Sequence, residues 1–317
     1  MKEDNLKIIK KNSGINLTEG TDSFDIASTQ DILSHLIDEK YNNSLAYSIC
    51  SVVPLESSWG TIYTSKKKYL QNSVEIVKKD VHTKLYKIDT DVSIEAAQDM
   101  KKMYRKKASE KIGKIFSGLS SEDENFELIR MINNESFTKN NLIVNTANSG
   151  WVISQISQKV AESVTEMNKY VFRTLDSFCI LPTKWAAYFL GTNYYSEMSK
   201  IAKDKNCSLF VGRYGRTDYY INPVRNELNA FNTDYNDDYT NGGSDIEYCY
   251  VGLKSDSVDD SSLVFLPYQY EIQEVTDPDT YKQKYFIYNR YSLTTNPLHT
   301  PLENNSMLHR FIIEEQG

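Results

Sequence analysis

The spacing of apolar residues changes several times along the chain, and each change marks an element. The first fifty residues are polar and rich in Asn and Ser. The exception is residues 29–40, where Ile32, Leu33, Leu36 and Ile37 share one side of a candidate amphipathic helix. This stretch reads as an arm carrying one short helix. From residue 51 to about 90 the pattern turns extended: Val52 and Val53, then residues 61–64, then Val74, Ile76 and Val77, then Leu85, Tyr86 and Ile88. Ser65-Lys66-Lys67-Lys68 interrupts these runs and predicts a solvated hairpin tip.

Helical spacing follows. Residues 93–116 and 121–133 read as two helices, with Ser93 capping the first and Ser121-x-x-Glu124 forming a capping box for the second. Gly118 either separates them or sits inside one bent helix. In residues 151–173, Ile156, Val160, Val164, Met167 and Val171 recur at steps of four, four, three and four, the stripe of a helix packed on a core. Beyond Phe178 a short helix at 182–190 alternates with strand-like runs at 209–211, 219–221, 248–253, 263–266 and 285–288. The fold class is mixed α+β. Residues 229–245 lose all period and have the composition of an exposed loop. There Asn232, Asp234 and Asn236 alternate like calcium ligands. However, Asp237 stands where the turning Gly is required and Gly243 where the closing Glu is required, which favours a solvated loop.

Composition narrows the function classes. At 317 residues the chain is long enough for two domains or one elongated molecule. Its 40% hydrophobic and 25% charged residues, with mean hydropathy −0.53, suit a soluble globular protein. No apolar run approaches the roughly 20 residues that span a bilayer, so no membrane role is expected. Residues 1–14 lack the apolar centre of a signal peptide, and synthesis in the cytoplasm is the expectation. A net charge of −7 opposes the basic footprint of a dedicated DNA binder. The 23 tyrosines suit protein–protein interfaces, where Tyr is enriched, or reflect a general Tyr and Asn bias.

Candidate chemistry is sparse. Cys50, Cys179, Cys207 and Cys249 lie far apart without a CxxC, and His35, His82, His299 and His309 show no metal-binding spacing. A GxSxG elbow, a P-loop and a dinucleotide fingerprint are missing, and the pairs Gly212/Gly215 and Gly242/Gly243 read as turns. Asp259-Asp260 and Glu314-Glu315 sit in polar surroundings and read as surface acids. Lys101, Lys102, Arg105, Lys106 and Lys107 read as a solvated helix face, with a contact to phosphates or to an acidic neighbour as the other reading. No catalytic residue, cofactor or metal is expected.

The most specific signal is in the C-terminal third. It runs from Tyr250-Val251-Gly252-Leu253-Lys254-Ser255 through Asp260, Phe265-Leu266-Pro267-Tyr268, Asp277-Pro278 and Arg290-Tyr291 to Asn296-Pro297. This order and spacing resemble the T-even-type major capsid protein family of tailed phages. In that family a Val-Gly-aromatic-Lys-Gly strand precedes an aromatic-x-Pro-Tyr segment, an Asp-Pro turn and an Arg-Tyr-Gly run ending in Asn-Pro. Ser255, Ser261-Ser262 and Ser292 depart from that pattern, replacing a Gly, an Ala-Gly pair and a Gly. Upstream, Lys84-Leu85 leading to Ile94-Glu95-Ala96-Ala97-Gln98-Asp99-Met100, Pro54-Leu55 with Trp59-Gly60-Thr61-Ile62-Tyr63, and Tyr219-Tyr220-Ile221-Asn222-Pro223 are similar to further family segments in the same order.

The resemblance implies an HK97-like capsid fold. Its parts would be an N-terminal arm (1–51), an E-loop hairpin (52–83), a peripheral domain with the spine helix (84–174 and 251–317) and an axial domain (175–250). It implies a structural protein, not an enzyme, that assembles with itself into hexamers and pentamers of an icosahedral or prolate head and encloses DNA without gripping it. The partners so implied are portal, scaffold, maturation protease and decoration proteins, and the location is the virion. Lys66, Lys67, Lys68 and Tyr69 become the inter-subunit tip of the E-loop. Leu17-Thr18-Glu19 resembles the family's apolar-x-Glu cleavage site, as do Ile37-Asp38-Glu39 and Ile272-Gln273-Glu274. The chain looks shorter than T-even relatives, so their inserted domain is expected to be absent. The vertex protein of the same family and, from another class, a phage enzyme with an unfamiliar site are the alternatives.

Overall fold

The computed structural model describes residues 14–17, 40, 43–68, 73–92, 108–171, 176–190, 207–223, 248–276, 283–301 and 306–316. In chain order, the first elements are β1 (Gly14–Leu17), α1 (Ala46–Ile49), β2 (Ser51–Val52), β3 (Trp59–Lys68), β4 (Ser73–His82) and β5 (Lys84–Val92). Next come α2 (Ala108–Glu135), β6 (Phe137–Thr138), β7 (Leu142–Val144), α3 (Ser149–Val171), β8 (Ser177–Leu181) and α4 (Thr183–Leu190). The last are β9 (Phe210–Tyr214), β10 (Thr217–Ile221), β11 (Tyr248–Leu253), β12 (Leu263–Thr276), β13 (Gln283–Thr295) and β14 (Leu308–Glu315).

Two sheets organise the chain. The first runs β1-β12-β13-β5, with β2 also on β12. Along β13, Ile287, Asn289 and Tyr291 are buried in alternation, as a strand with one covered face requires. Helix α2 lies against β13, contributing Leu128, Ile129 and Ile132 to the same core. Tyr291 stacks on Tyr86 at 4.5 Å between ring centroids. The strand-like runs at 263–266 and 285–288 extend to 276 and 295, because the alternate positions Gln269, Glu271 and Gln273 are polar and hid the period.

Helix α2 is continuous through Gly118, so the reading as one helix holds and the capping box at Ser121 does not. Ser121 Oγ donates back to the Ser117 carbonyl at 2.9 Å, a bond made inside a helix. Glu124 is turned into the core, where it meets Lys40 Nζ at 2.7 Å and accepts from Asn289 Nδ2 at 2.9 Å. Burial pushes the Lys40 ammonium below its ordinary range, opposed by Glu124. Asn125 takes the Leu45 amide at 2.7 Å and binds the Asn43 carbonyl, tying residues 43–50 to the helix. Of the candidate helices at 29–40 and 93–116, residues 29–39 and 93–107 lie outside the described residues. So do the five basic residues at 101–107, the 229–245 loop, Asp277-Pro278 and the Ile94–Met100 motif.

The second sheet runs β6-β14-β11-β8-β10-β9, with β7 also on β14. All five residues of β8 are buried, the sign of a strand covered on both faces. Ile156, Val160, Val164 and Met167 of α3 are all buried, as their spacing predicts, in a core shared with Cys179, Val251 and Phe311. The short helix at 182–190 is α4, which adds Trp185, Ala186 and Phe189 to it. A boundary between residues 250 and 251 falls inside β11, and β14 pairs with β11 at Tyr250↔Arg310.

Gly252, in the Val-Gly segment of β11, has no room for a side chain. A Cβ there would lie 2.5 Å from Phe178 Cζ and 2.8 Å from Leu308 Cδ2. Both neighbours are fully buried. Gly252→Ala is expected to cost ~1–3 kcal/mol by overpacking, measured as a lower denaturation midpoint with an unchanged urea slope.

Candidate functional site

Among the described residues, the most exposed large apolar side chains lie on the β3–β4 hairpin. The two strands pair antiparallel from Trp59↔His82 to Lys68↔Ser73 and form a two-stranded sheet of their own. Ten residues per strand make an arm roughly 34 Å long. A two-stranded hairpin of this length is marginal alone and needs a surface to lie on.

Register divides the hairpin into two faces. On one, Ile62 and Val81 are buried with Leu55 against Val264 and Leu266 of β12, and Thr64 is 2% exposed. On the other, Trp59, Tyr63, Val74 and Ile76 are 63%, 62%, 63% and 70% exposed. They share that face because β3 and β4 pair odd positions with even ones, as in Tyr63↔Lys78 and Ser65↔Ile76. Four large apolar side chains together in water mark an interaction surface.

Polar anchors set the arm on its own subunit. Asp259 Oδ1 accepts from Thr64 Oγ1 at 2.7 Å and from the Ser65 amide at 2.8 Å. Asn296 Nδ2 donates to the carbonyls of Val258 and Ser261 at 2.6 and 2.8 Å, holding the turn that carries Asp259. From β4, Lys79 Nζ reaches Thr295 Oγ1 at 3.1 Å. Burial lowers the pKa of that ammonium, while Glu135 opposes the shift. Asp259 is therefore no free surface acid: burying Thr64 created a demand for an acceptor, and Asp259 meets it. Glu315 is a surface acid, paired with exposed Lys184 at 2.8 Å. Asp259→Ala is expected to leave the fold intact at a cost of ~1–3 kcal/mol. Amide exchange along residues 62–66 should rise, while α3 stays protected.

Of the residues expected at the tip, Lys66, Lys67 and Lys68 are the last three of β3, still in the ladder, and Lys66 is exposed. Tyr69 and the cleavage candidate Glu19 lie outside the described residues. The motif residue Lys254 binds Asp218 Oδ2 at 2.7 Å and the Tyr220 hydroxyl at 2.9 Å, joining β10 to the end of β11. The four cysteines are free and buried; Cys179 and Cys249 have sulfurs 3.5 Å apart. Among the described residues no group of three His, Cys, Asp or Glu side chains is placed to hold a metal, and no helix is long and apolar enough to cross a membrane.

The sequence reading singled out the lysines and missed the exposed apolar face. The signal was there: apolar residues on both parities of residues 59–81, which a strand covered on one side only does not need.

A protein-family model described as the major capsid protein Gp23 matches residues 64–175 and 192–313. No curated protein matches the chain. Three solved structures are similar in fold. The virus-like particle from Pyrococcus furiosus has a TM-score of 0.55 at 13% identity, over 90% of this chain and 99% of that one. The head of Helicobacter pylori bacteriophage KHP40 gives 0.51 at 10%, over 86% and 91%. The capsid of Ralstonia phage GP4 gives 0.50 at 11%, over 86% and 90%. At these identities the structures speak for the fold alone, while the family match spans most of the chain. This chain accordingly belongs to the Gp23 major capsid protein family, a structural protein of the phage head built on the HK97-type fold.

Proposed function

We propose that the chain assembles with itself into hexamers and pentamers of a closed phage head, and that it carries no catalytic activity. The observation supporting this is the apolar outer face of the β3–β4 hairpin, which no described element of the same subunit covers. In this reading the hairpin, within residues 52–83, is the E-loop, and it lies on a neighbouring copy with Lys66, Lys67, Lys68 and Tyr69 at its tip. Residues 1–51 form the N-terminal arm. The peripheral domain, assigned to 84–174 and 251–317, is built on the five-stranded sheet with α2 as its spine. The axial domain, assigned to 175–250, is built on the seven-stranded sheet. The pairing of β14 with β11 and the packing of α3 argue for moving those two elements to the axial side.

The same reading includes synthesis in the host cytoplasm, with portal, scaffold, protease and decoration proteins as partners. Negative-stain imaging of the purified chain tests the assembly reading: shells or rings are expected, and a stable monomer would overturn it. The related vertex protein would appear as pentamers in a small minority of head subunits.

Cleavage after Glu19 belongs to the same proposal. Mass spectrometry of mature particles is expected to find a chain starting at Gly20, and an intact Met1 there would remove cleavage from the account.

A further inference from the structure

Helix α2 and strand β13 close over three polar side chains drawn from distant parts of the chain. Lys40, Glu124 and Asn289 are 5%, 0% and 5% exposed. Lys and Glu are almost never buried unless paired, and a buried ion pair adds little stability over apolar residues of the same size. Here the pair is not alone. Glu124 Oε1 takes the Lys40 ammonium at 2.7 Å and the Asn289 carboxamide nitrogen at 2.9 Å, so an amine and an amide are held on one carboxylate oxygen. The same carboxamide nitrogen reaches Ser120 Oγ at 3.1 Å. Glu124 Oε2 has no hydrogen-bond partner among the described residues. The centre of the Tyr270 ring is 4.8 Å from the ammonium, and Tyr270 and Tyr291 are both buried in the surrounding apolar core.

These are the parts of an acyl transfer from a carboxamide to an amine. An ammonium is no nucleophile, whereas a neutral amine is. Moving one proton from Lys40 to Glu124 replaces two buried charges by two neutral groups and removes the desolvation cost of both. Burial already holds the Lys40 ammonium below its ordinary range, against the opposing carboxylate. Groups fixed side by side also react without the entropy cost of meeting. Glu124 touches both nitrogens, which is where a group acting first as base and then as acid has to stand.

We infer that Lys40 and Asn289 are the two halves of an isopeptide bond that the folded chain forms within itself, with Glu124 carrying the protons. Lys40 Nζ bonds to Asn289 Cγ, and the Cγ–Nδ2 bond breaks. Two of the three ammonium protons pass through Glu124 to Nδ2, which leaves as an ammonium ion, and the third stays on the new amide. Glu124 ends as it began, and no oxidant, reductant or cofactor enters the balance. The event happens once in each chain, so it is not turnover of a substrate, and it needs a folded subunit but no shell. Its product closes residues 41–288 into a covalent loop. A load entering through residues 1–39 then reaches β13 through one side-chain bond, without stretching what lies between.

Intact-mass spectrometry of the purified full-length chain is the first measurement. The expected mass is about 17 Da below the sequence value, the loss of one ammonia. Succinimide formation at any Asn gives the same loss, so a tryptic digest reads the position. Trypsin should no longer cut after Lys40, and the peptide containing Lys40 should be joined to the peptide of residues 285–290. Glu124→Gln keeps the shape of the side chain and removes its proton transfer; that chain is expected at full sequence mass, with Lys40 cut normally. A wild-type chain at full mass, or one cut after Lys40 with peptide 285–290 free, would overturn the inference. So would a Glu124→Gln chain linked as fully as the wild type, by taking the carboxylate out of the chemistry. The wild-type result stands whether or not the variant folds.

Discussion

Excising Lys66–Glu75 and joining Ser65 to Ile76 through an Asn-Gly turn is expected to give a folded subunit that no longer assembles. The cut is placed by the anchors. Ile62, Val81 and the Thr64–Asp259 bond lie below it, so the half of the hairpin that packs on β12 keeps its contacts. Ser65 and Ile76 are register partners, and Asn-Gly closes a two-residue hairpin with the twist the strands need. A cut that started at Thr64 would remove the anchor and confuse instability with failed assembly. The thermal midpoint should move by no more than a few degrees, while imaging shows monomers where the wild type gives particles. Ile76→Asp is the matching point variant. At 70% exposure its effect on subunit stability should stay within about 0.5 kcal/mol. In a dry interface the buried carboxylate would cost several kcal/mol per contact. Normal particles from both variants would show that the outer face of the hairpin is not a contact surface.

Acid should destabilise the subunit well before its surface carboxylates account for the loss. His309 on β14 is fully buried, and neither ring nitrogen has a hydrogen-bond partner among the described residues. It lies edge-on to Phe137, with a 6.0 Å centroid separation. His299 accepts the Met307 amide at Nδ1, which places its proton on Nε2, 3.5 Å from Glu135. Burial is the main cause that lowers both imidazoles from 6.5 to about 4. For His309, Lys139 and His299 lower it further and Glu166 opposes them; for His299, Glu135 opposes and Lys79 lowers.

The sign follows from proton counting. Between about 6.5 and 4 the unfolded chain binds protons that the folded chain refuses, so unfolding free energy falls as pH falls through that window. Each imidazole contributes a loss of up to ~3 kcal/mol once the pH reaches its folded value. Urea midpoints measured from pH 7 to pH 4 should decline steeply, and His309→Leu should flatten part of that slope. A pH profile for His309→Leu that parallels the wild type would assign the acid loss to carboxylates.

How much of this was legible depends on whether an element buries one clean face. The α3 stripe was readable from spacing because Ile156, Val160, Val164 and Met167 recur at helical steps, and the two buried serines, Ser157 and Ser163, do not interrupt it. By contrast, α2 hid its continuity: it buries Ser120, Ser121, Glu124 and Asn125 as well as Leu128 and Ile132, so its apolar period is weak and Ser121-x-x-Glu124 imitates a cap. Strand β12 looked short because Gln269, Glu271 and Gln273 break its apolar run, and β13 because Asn289, Arg290 and Ser292 break its own.

The candidate site followed the same logic. Lysines near a tip are visible in one dimension, and so is an extended run. Which of two apolar faces is covered is not, since Ile62 and Tyr63 are neighbours in sequence and opposite in fate. By itself the sequence determined the α+β class, the helix and strand content of most segments, and a collinear set of motifs that implied a capsid protein, because these depend on local period and residue order. Only the tertiary structure decided that Asp259 anchors the hairpin, that Trp59, Tyr63, Val74 and Ile76 form one open face, and that β1 lies on β12. Those facts depend on long-range register, and pairing partners 195 residues apart, as Thr64 and Asp259 are, leave no trace in local spacing.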